Sequence, residues 1–220
     1  MKKFISFALL LCFSLGILTL AQAATQPSMY DIEARLVYDS SKDINVLLRA
    51  VKKKRDSKFE AAVKRDYVDY LVKGVTGLGD YGRAFVFFIA YGTPSTQRLG
   101  YIERSGVLNS YKNAFNRIPL SKGDWAEVLR IANGSKPVNR SVQAEQKART
   151  EFRKAYNREP LQKGDETAIY IMAYGVRPLK KDLVKEKAAL AHFKKIYGFE
   201  PVYGYHWDVV RAYAYSGVKY

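Results

Sequence analysis

The sequence predicts an all-α fold: tandem helix-turn-helix repeats of about 41 residues, stacked as a short solenoid or a compact helical array. Three observations carry this expectation. A motif recurs at a constant offset of 41 residues, as Tyr111 to Pro119 (YKNAFNRIP), Phe152 to Pro160 (FRKAYNREP) and Phe193 to Pro201 (FKKIYGFEP). Apolar residues fall at helical spacing on both sides of each copy. No stretch alternates convincingly with period two over strand length, apart from the aromatic run Phe85 to Phe88, which the repeat reads as helix.

Taken in order, the chain opens with Lys2 and Lys3, an apolar run from Phe4 to Leu20, and the small-x-small site Ala21-Gln22-Ala23. This pattern is expected to be a cleavable secretory signal peptide over residues 1–23. Leu11 is too large for the residue that precedes a lipid-bearing cysteine at Cys12. Cleavage would remove the single cysteine and lower the formal charge from +16 to +14. Disulfides and thiol catalysis are then excluded from the mature chain, which apolar packing alone must hold. No later run approaches the length of a membrane span, so a secreted location is expected, in the periplasm, at the cell surface or outside.

Residues 24–58 are expected to hold two helices, Ile32 to Tyr38 and Ile44 to Val51, as an N-terminal cap. Residues 59–102 form a degenerate unit. Val63, Tyr67, Tyr70 and Leu71 give the stripe of its first helix, and Val86 to Gly92 its second; Gly74, Gly77 and Gly79 lie in its longer connector. Those glycines lack the Gly-Lys-Ser/Thr continuation of a phosphate loop. Three clean units follow over 103–138, 139–179 and 180–220. Their first helices carry Val107, Tyr111, Ala114 and Phe115; Ala148, Phe152, Ala155 and Tyr156; and Ala189, Phe193, Ile196 and Tyr197. The second helix of the first clean unit carries Trp125, Val128, Leu129 and Ala132 on one helical face. Asp124, with Glu127 three residues on, is expected as its N-cap, and Asp165 takes the same place in the next unit. Gly92, Gly134 and Gly175 are expected as left-handed helix stops.

The composite pattern F-x3-Y-x-R-x-P, a polar turn, then D-W-x2-V-x2-I-A-Y-G resembles helical repeat units of secreted, surface-layer-like bacterial envelope proteins. The resemblance covers residues 103 to 220 closely and 59 to 92 loosely. It implies a cell-envelope setting and no catalytic residue. Departures are Glu166, where Trp125 and Trp207 stand in the other units, and Phe199, where the others have Arg117 and Arg158.

The chemistry available is narrow. His192 and His206 lie in different parts of the last unit, which is too few ligands for a metal site, and no cofactor motif is present. No G-x-S-x-G motif supplies a nucleophile. Glu127, Glu159, Asp165, Glu166 and Asp208 lie near the turns and keep open a wall-glycan hydrolase that uses a carboxylate pair. The recurrence of Asp124 and Asp165 instead suits capping. Tyr91, Tyr174 and Tyr215 end successive second helices, with Asn133 in the remaining unit. They either pack against the next unit or form a ridge that stacks on sugars or meets a protein. Trp125 and Trp207 are expected as core anchors. Arg117 and Arg158 complement first-helix C-termini.

Basic residues number 37 against 21 acidic ones, and the 101–220 region alone carries an excess of +10. Lys52 to Arg55 and the set Lys180, Lys181, Lys185, Lys187, Lys194 and Lys195 are the densest clusters. The expected function is therefore non-catalytic binding or scaffolding in the envelope. The partner is an anionic glycan or another protein, held by a basic surface bearing Tyr91, Tyr174, Tyr215, Arg117, Arg158, Lys180, Lys181, Lys194 and Lys195. Nucleic acid would be bound only non-specifically. The alternatives are the hydrolase and a structural protein that assembles through its end repeats.

Overall fold

The computed structural model describes residues 44–51, 53–79 and 81–220, and among these every regular element is helical. The expected signal peptide and the helix expected over Ile32 to Tyr38 lie outside the described residues. Helix α1 spans Ile44–Ala50. Helix α2 runs through three segments, Ser57–Val63, a π turn Lys64–Val68 and Asp69–Leu71. Then come α3 (Tyr81–Tyr91), α4 (Tyr101–Phe115), α5 (Lys122–Ala132), α6 (Val142–Tyr156), α7 (Asp165–Tyr174), α8 (Leu183–Tyr197) and α9 (Gly204–Tyr215). Helices α4, α6 and α8 are each 15 residues long and start 41 residues apart.

Local chemistry sets the boundaries. Asp56, Ser141 and Asp182 cap α2, α6 and α8 by accepting N–H groups of the first turn. Asn116, Asn157 and Gly198 end α4, α6 and α8 in the left-handed region. Gly92, Gly134 and Gly175 have φ of 73°, 83° and 64° just past α3, α5 and α7, where a side chain would be strained.

Two expectations are corrected. The caps of α5 and α7 are Ser121 and Gly164, and not Asp124 and Asp165. Ser121 Oγ accepts the Asp124 N–H, and the Asp124 carboxylate accepts those of Leu120 and Ser121, so Asp124 is the third helical residue of a reciprocal box. Glu127 takes no part in it and accepts the N–H groups of Val138 and Asn139 beyond the helix. In α2 the expected stripe breaks down, since Tyr70 is 74% exposed while Val63, Val68 and Leu71 are buried. The π turn adds a residue between Val63 and Leu71, which brings Val68 inward and turns Tyr70 out.

The core has two lobes. One gathers side chains of α1 to α5, with Trp125 against both Phe85 and Phe88 at 5.5 Å between ring centroids. The other gathers α6 to α9 around Phe152, Ile169, Phe193 and Val209, and Ala173 and Val176 pack against both lobes. Helix α4 touches α3, α5, α6, α7 and α9. Beneath it lies a buried polar node. Arg177, just past α7, donates to the Gly175 carbonyl and faces the Asp208 carboxylate of α9 at 3.4 Å, while Ser110 of α4 donates to that carboxylate at 3.2 Å. Gly106 leaves room for the guanidinium, because a Cβ there would stand 2.8 Å from Arg177 Nη2. Burial pulls the Arg177 pKa down to about 9.

Candidate ligand-binding surface

The three recurring tyrosines share one arrangement. The Tyr91 hydroxyl accepts the N–H of Asp56 and donates to Glu60, both at 2.8 Å. Tyr174 does the same with Ser141 (2.8 Å) and Glu145 (2.6 Å), and Tyr215 with Asp182 (3.0 Å) and Glu186 (2.5 Å). Each tyrosine thus latches the end of one helix to the capped start of its hairpin partner. Arg55 and Arg140 complete the first two latches by pairing with Glu60 and Glu145, and hold both carboxyls below their usual range. Where Asn133 replaces the tyrosine, the glutamate position is taken by Arg104. Its buried guanidinium instead donates to the carbonyls of Ile89 (2.9 Å), Ala90 (2.8 Å) and Leu99.

Of the two readings of these tyrosines, their hydroxyls and burial fit packing within the hairpins. Tyr174 is wholly buried and stacks on Phe115 of α4 at 5.8 Å, while Tyr91 and Tyr215 are half-buried with their hydroxyls engaged. The sequence signal for the latch was the glutamate four residues after each cap, visible at 60, 145 and 186.

Arg117 and Arg158 are not spent on the carbonyl ends of their own helices. Arg117 pairs with Asp124 at 2.7 Å. Arg158 forms a bidentate pair with Asp165 at 2.8 and 2.7 Å, which lowers the Asp165 pKa. The remaining turn carboxylates are also occupied: Glu159 by Arg153, Glu166 by Arg149, and Asp208 by Arg177, Arg211 and Ser110.

The turn from α8 into α9 differs from those after α4 and α6. Phe199 and His206 replace the Arg–Asp pair, and their rings meet at 5.1 Å. His206 Nδ1 accepts the N–H groups of Val202 (3.2 Å) and Tyr203 (3.3 Å), as the Asp124 carboxylate does for Leu120 and Ser121. The ring is therefore the neutral tautomer with its proton on Nε2. Burial lowers its pKa, with the Glu151 carboxylate and the Lys154 ammonium as the charges that face it. Around it Phe199, Tyr203 and Tyr205 are 44%, 61% and 51% exposed, and Trp207, the next residue of α9, is 41% exposed. Trp207 is thus no core anchor, whereas Trp125 is fully buried. The sign of this surface in the sequence was the departure of the last copy from the motif, first at Phe199.

Of the four named lysines, Lys181 bridges to Glu103 at 2.9 Å and Lys194 pairs with Glu200. Lys180 and Lys195 are exposed and make no ion pair among the described residues. A shallow groove of about 610 Å³ lies between the start of α8 and the C-terminal tail, lined by Val184, Ala188, Tyr213, Val218 and Tyr220. Among the described residues no three His, Cys, Asp or Glu side chains converge, and no helix is long and apolar enough to cross a membrane. Comparison with protein-family models, with curated proteins and with solved structures finds no match to this chain.

Proposed function

We propose that this chain is a non-catalytic binding protein of the bacterial cell envelope, a compact array of tandem 41-residue hairpins that holds an anionic polymer on a lysine-rich surface. The division of charge is the observation that carries this reading. The carboxylates of the hairpins are tied into caps, latches and ion pairs, while Lys147, Lys163, Lys180, Lys187 and Lys195 stand exposed without an acid partner among the described residues. Internal electrostatics consumes the acids and leaves a surplus of ammonium groups for an external polyanion. The same division disfavours a glycan hydrolase. That mechanism needs one carboxyl kept protonated and one free to attack or activate water, yet the turn acids are each bound by cations or N–H groups. The equal spacing of α4, α6 and α8 supports the tandem array, and the contact of α4 with α9 favours a compact arrangement over a one-dimensional solenoid.

The test is binding of the purified protein to acidic polysaccharide and to duplex DNA across a salt series. Saturable binding to the polysaccharide that weakens steeply with salt is expected, because released counterions drive it. Absence of binding at low salt would overturn the reading.

A further inference from the structure

The turn between α8 and α9 keeps the backbone job of its two counterparts but exchanges charge for aromatic surface. Arg117 with Asp124, and Arg158 with Asp165, show that an ion pair suffices to hold such a turn. Phe199 and His206 have changed together, so that His206 Nδ1 still accepts the two backbone N–H groups. Nothing in the closure of the turn therefore requires the exposed rings of Tyr203 and Tyr205, which meet each other and His206. A contiguous apolar patch left in water by a folded domain marks a site of interaction.

We propose that this turn is a sugar-stacking subsite for an acidic polysaccharide; the proposal rests on the polymer-binding reading above and gives it a location and a ligand class. The rings are held in place before any ligand arrives. Tyr203 and Tyr205 lie 5.8 Å apart and within 9° of parallel, and Tyr205 meets the His206 ring at 4.2 Å. His206 in turn packs on the buried Phe193 at 5.6 Å. A pyranose presents a flat face of C–H groups that stacks on such rings, and its hydroxyls can exchange hydrogen bonds with the two exposed phenols.

Charge at the rim selects acidic sugars. Glu200, the carboxylate within the turn, is neutralised by Lys194, and Lys195, the next residue of α8, is exposed. On the α6 side the Lys154 ammonium lies 4.3 Å from the centre of the Tyr197 ring, whose hydroxyl donates to the Glu151 carboxylate and which itself meets Phe199 at 6.1 Å, so that the lysines there outnumber the acids by the one exposed Lys195. Ammonium groups are point charges that suit scattered carboxylates. The forked guanidinium that clamps phosphates is replaced here by Phe199, which favours a glycan over a nucleic acid strand.

The experiment measures affinity for polygalacturonate, for neutral dextran and for a single-stranded oligothymidylate by isothermal titration calorimetry, with the thermal transition of each variant checked by circular dichroism. Tyr203→Ala/Tyr205→Ala should bind polygalacturonate about tenfold more weakly or worse, as the loss of two stacking rings requires. Phe199→Arg/His206→Asp, which restores the ion pair of the other turns, keeps the turn closed while changing the platform and should also bind more weakly. Dextran should bind more weakly than polygalacturonate. Unchanged affinity in the folded tyrosine variant, alongside salt-sensitive binding by the parent, would overturn this subsite and leave the general polymer-binding reading standing. Tighter binding of oligothymidylate than of polygalacturonate would overturn it in favour of a nucleic acid. If no polymer binds, both proposals fall.

Discussion

Tyr174 shows what one hydroxyl does in this molecule. It satisfies the N–H of Ser141 and donates to Glu145 from a side chain that is itself wholly buried, so water reaches this hydroxyl less readily than those of its counterparts. Tyr174→Phe should cost about 1–3 kcal/mol in urea unfolding, and Tyr215→Phe less, because that hydroxyl is half-buried and water can replace it. An equal loss at both positions would show that burial does not set the value of the latch. The recurrence of these tyrosines was legible in the sequence, since residues at the same place in successive copies stand out. Their orientation was not. Whether an aromatic at the end of a helix turns inward depends on a partner about thirty residues upstream, and periodicity within one helix does not carry that information.

At the scale of a single element, α9 is closed at its start by an imidazole where α5 uses a carboxylate, and this should give the last hairpin a pH dependence. The folded pKa of His206 lies below its ordinary value of 6.5, mainly through burial, so between the two values the unfolded chain binds more protons than the folded one. The contribution of this closure is thus fully present above pH about 6.5 and is lost as pH falls through the folded pKa. His206→Asn retains an acceptor for the backbone N–H groups without titrating. Its unfolding midpoint should therefore fall less than the parent's on going from neutral to mildly acidic pH. Parallel decline of the two proteins would assign the acid sensitivity elsewhere, for instance to His192, whose pKa is lowered in the same sense by burial. The helices themselves were well signalled by apolar spacing, as Trp125, Val128, Leu129 and Ala132 on one face of α5 show. Two details of the elements escaped that spacing. The π turn of α2 is a one-residue change of phase with no distinctive residue type. The cap of α5 lies three residues earlier than expected, because in S-x-x-D either residue can be taken for the cap until the hydrogen bonds are seen.

In the whole molecule, the two apolar lobes are joined by Ala173, Val176 and the node of Ser110, Arg177 and Asp208. Arg177 is buried to 1% of its surface, and Asp208 supplies the carboxylate that faces it. Asp208→Ala should then cost about 3–5 kcal/mol, because a buried cation loses its counter-charge. The two tryptophans give a direct check, since Trp125 lies in the first lobe and Trp207 on α9. In single-tryptophan forms both should report one transition in the parent, and the two should separate in the variant as the lobes lose their link. A variant that unfolds in one step at an unchanged midpoint would deny the node this role. No feature of the sequence announced this pairing. Ser110 and Asp208 stand two units apart, and a repeat pattern describes neighbours within and between adjacent units only.

The hydroxyl latches also bear on the order in which the chain acquires its structure. Their partners are separated by 29 to 35 residues, whereas Ser110 and Asp208 are 98 apart. A chain that emerges N-terminus first can fasten the hairpins α2–α3 and α6–α7 soon after α3 and α7 are released, before α9 exists to meet α4. Assembly then proceeds by short-range closures, and the buried arginine is sealed only when the last helix arrives.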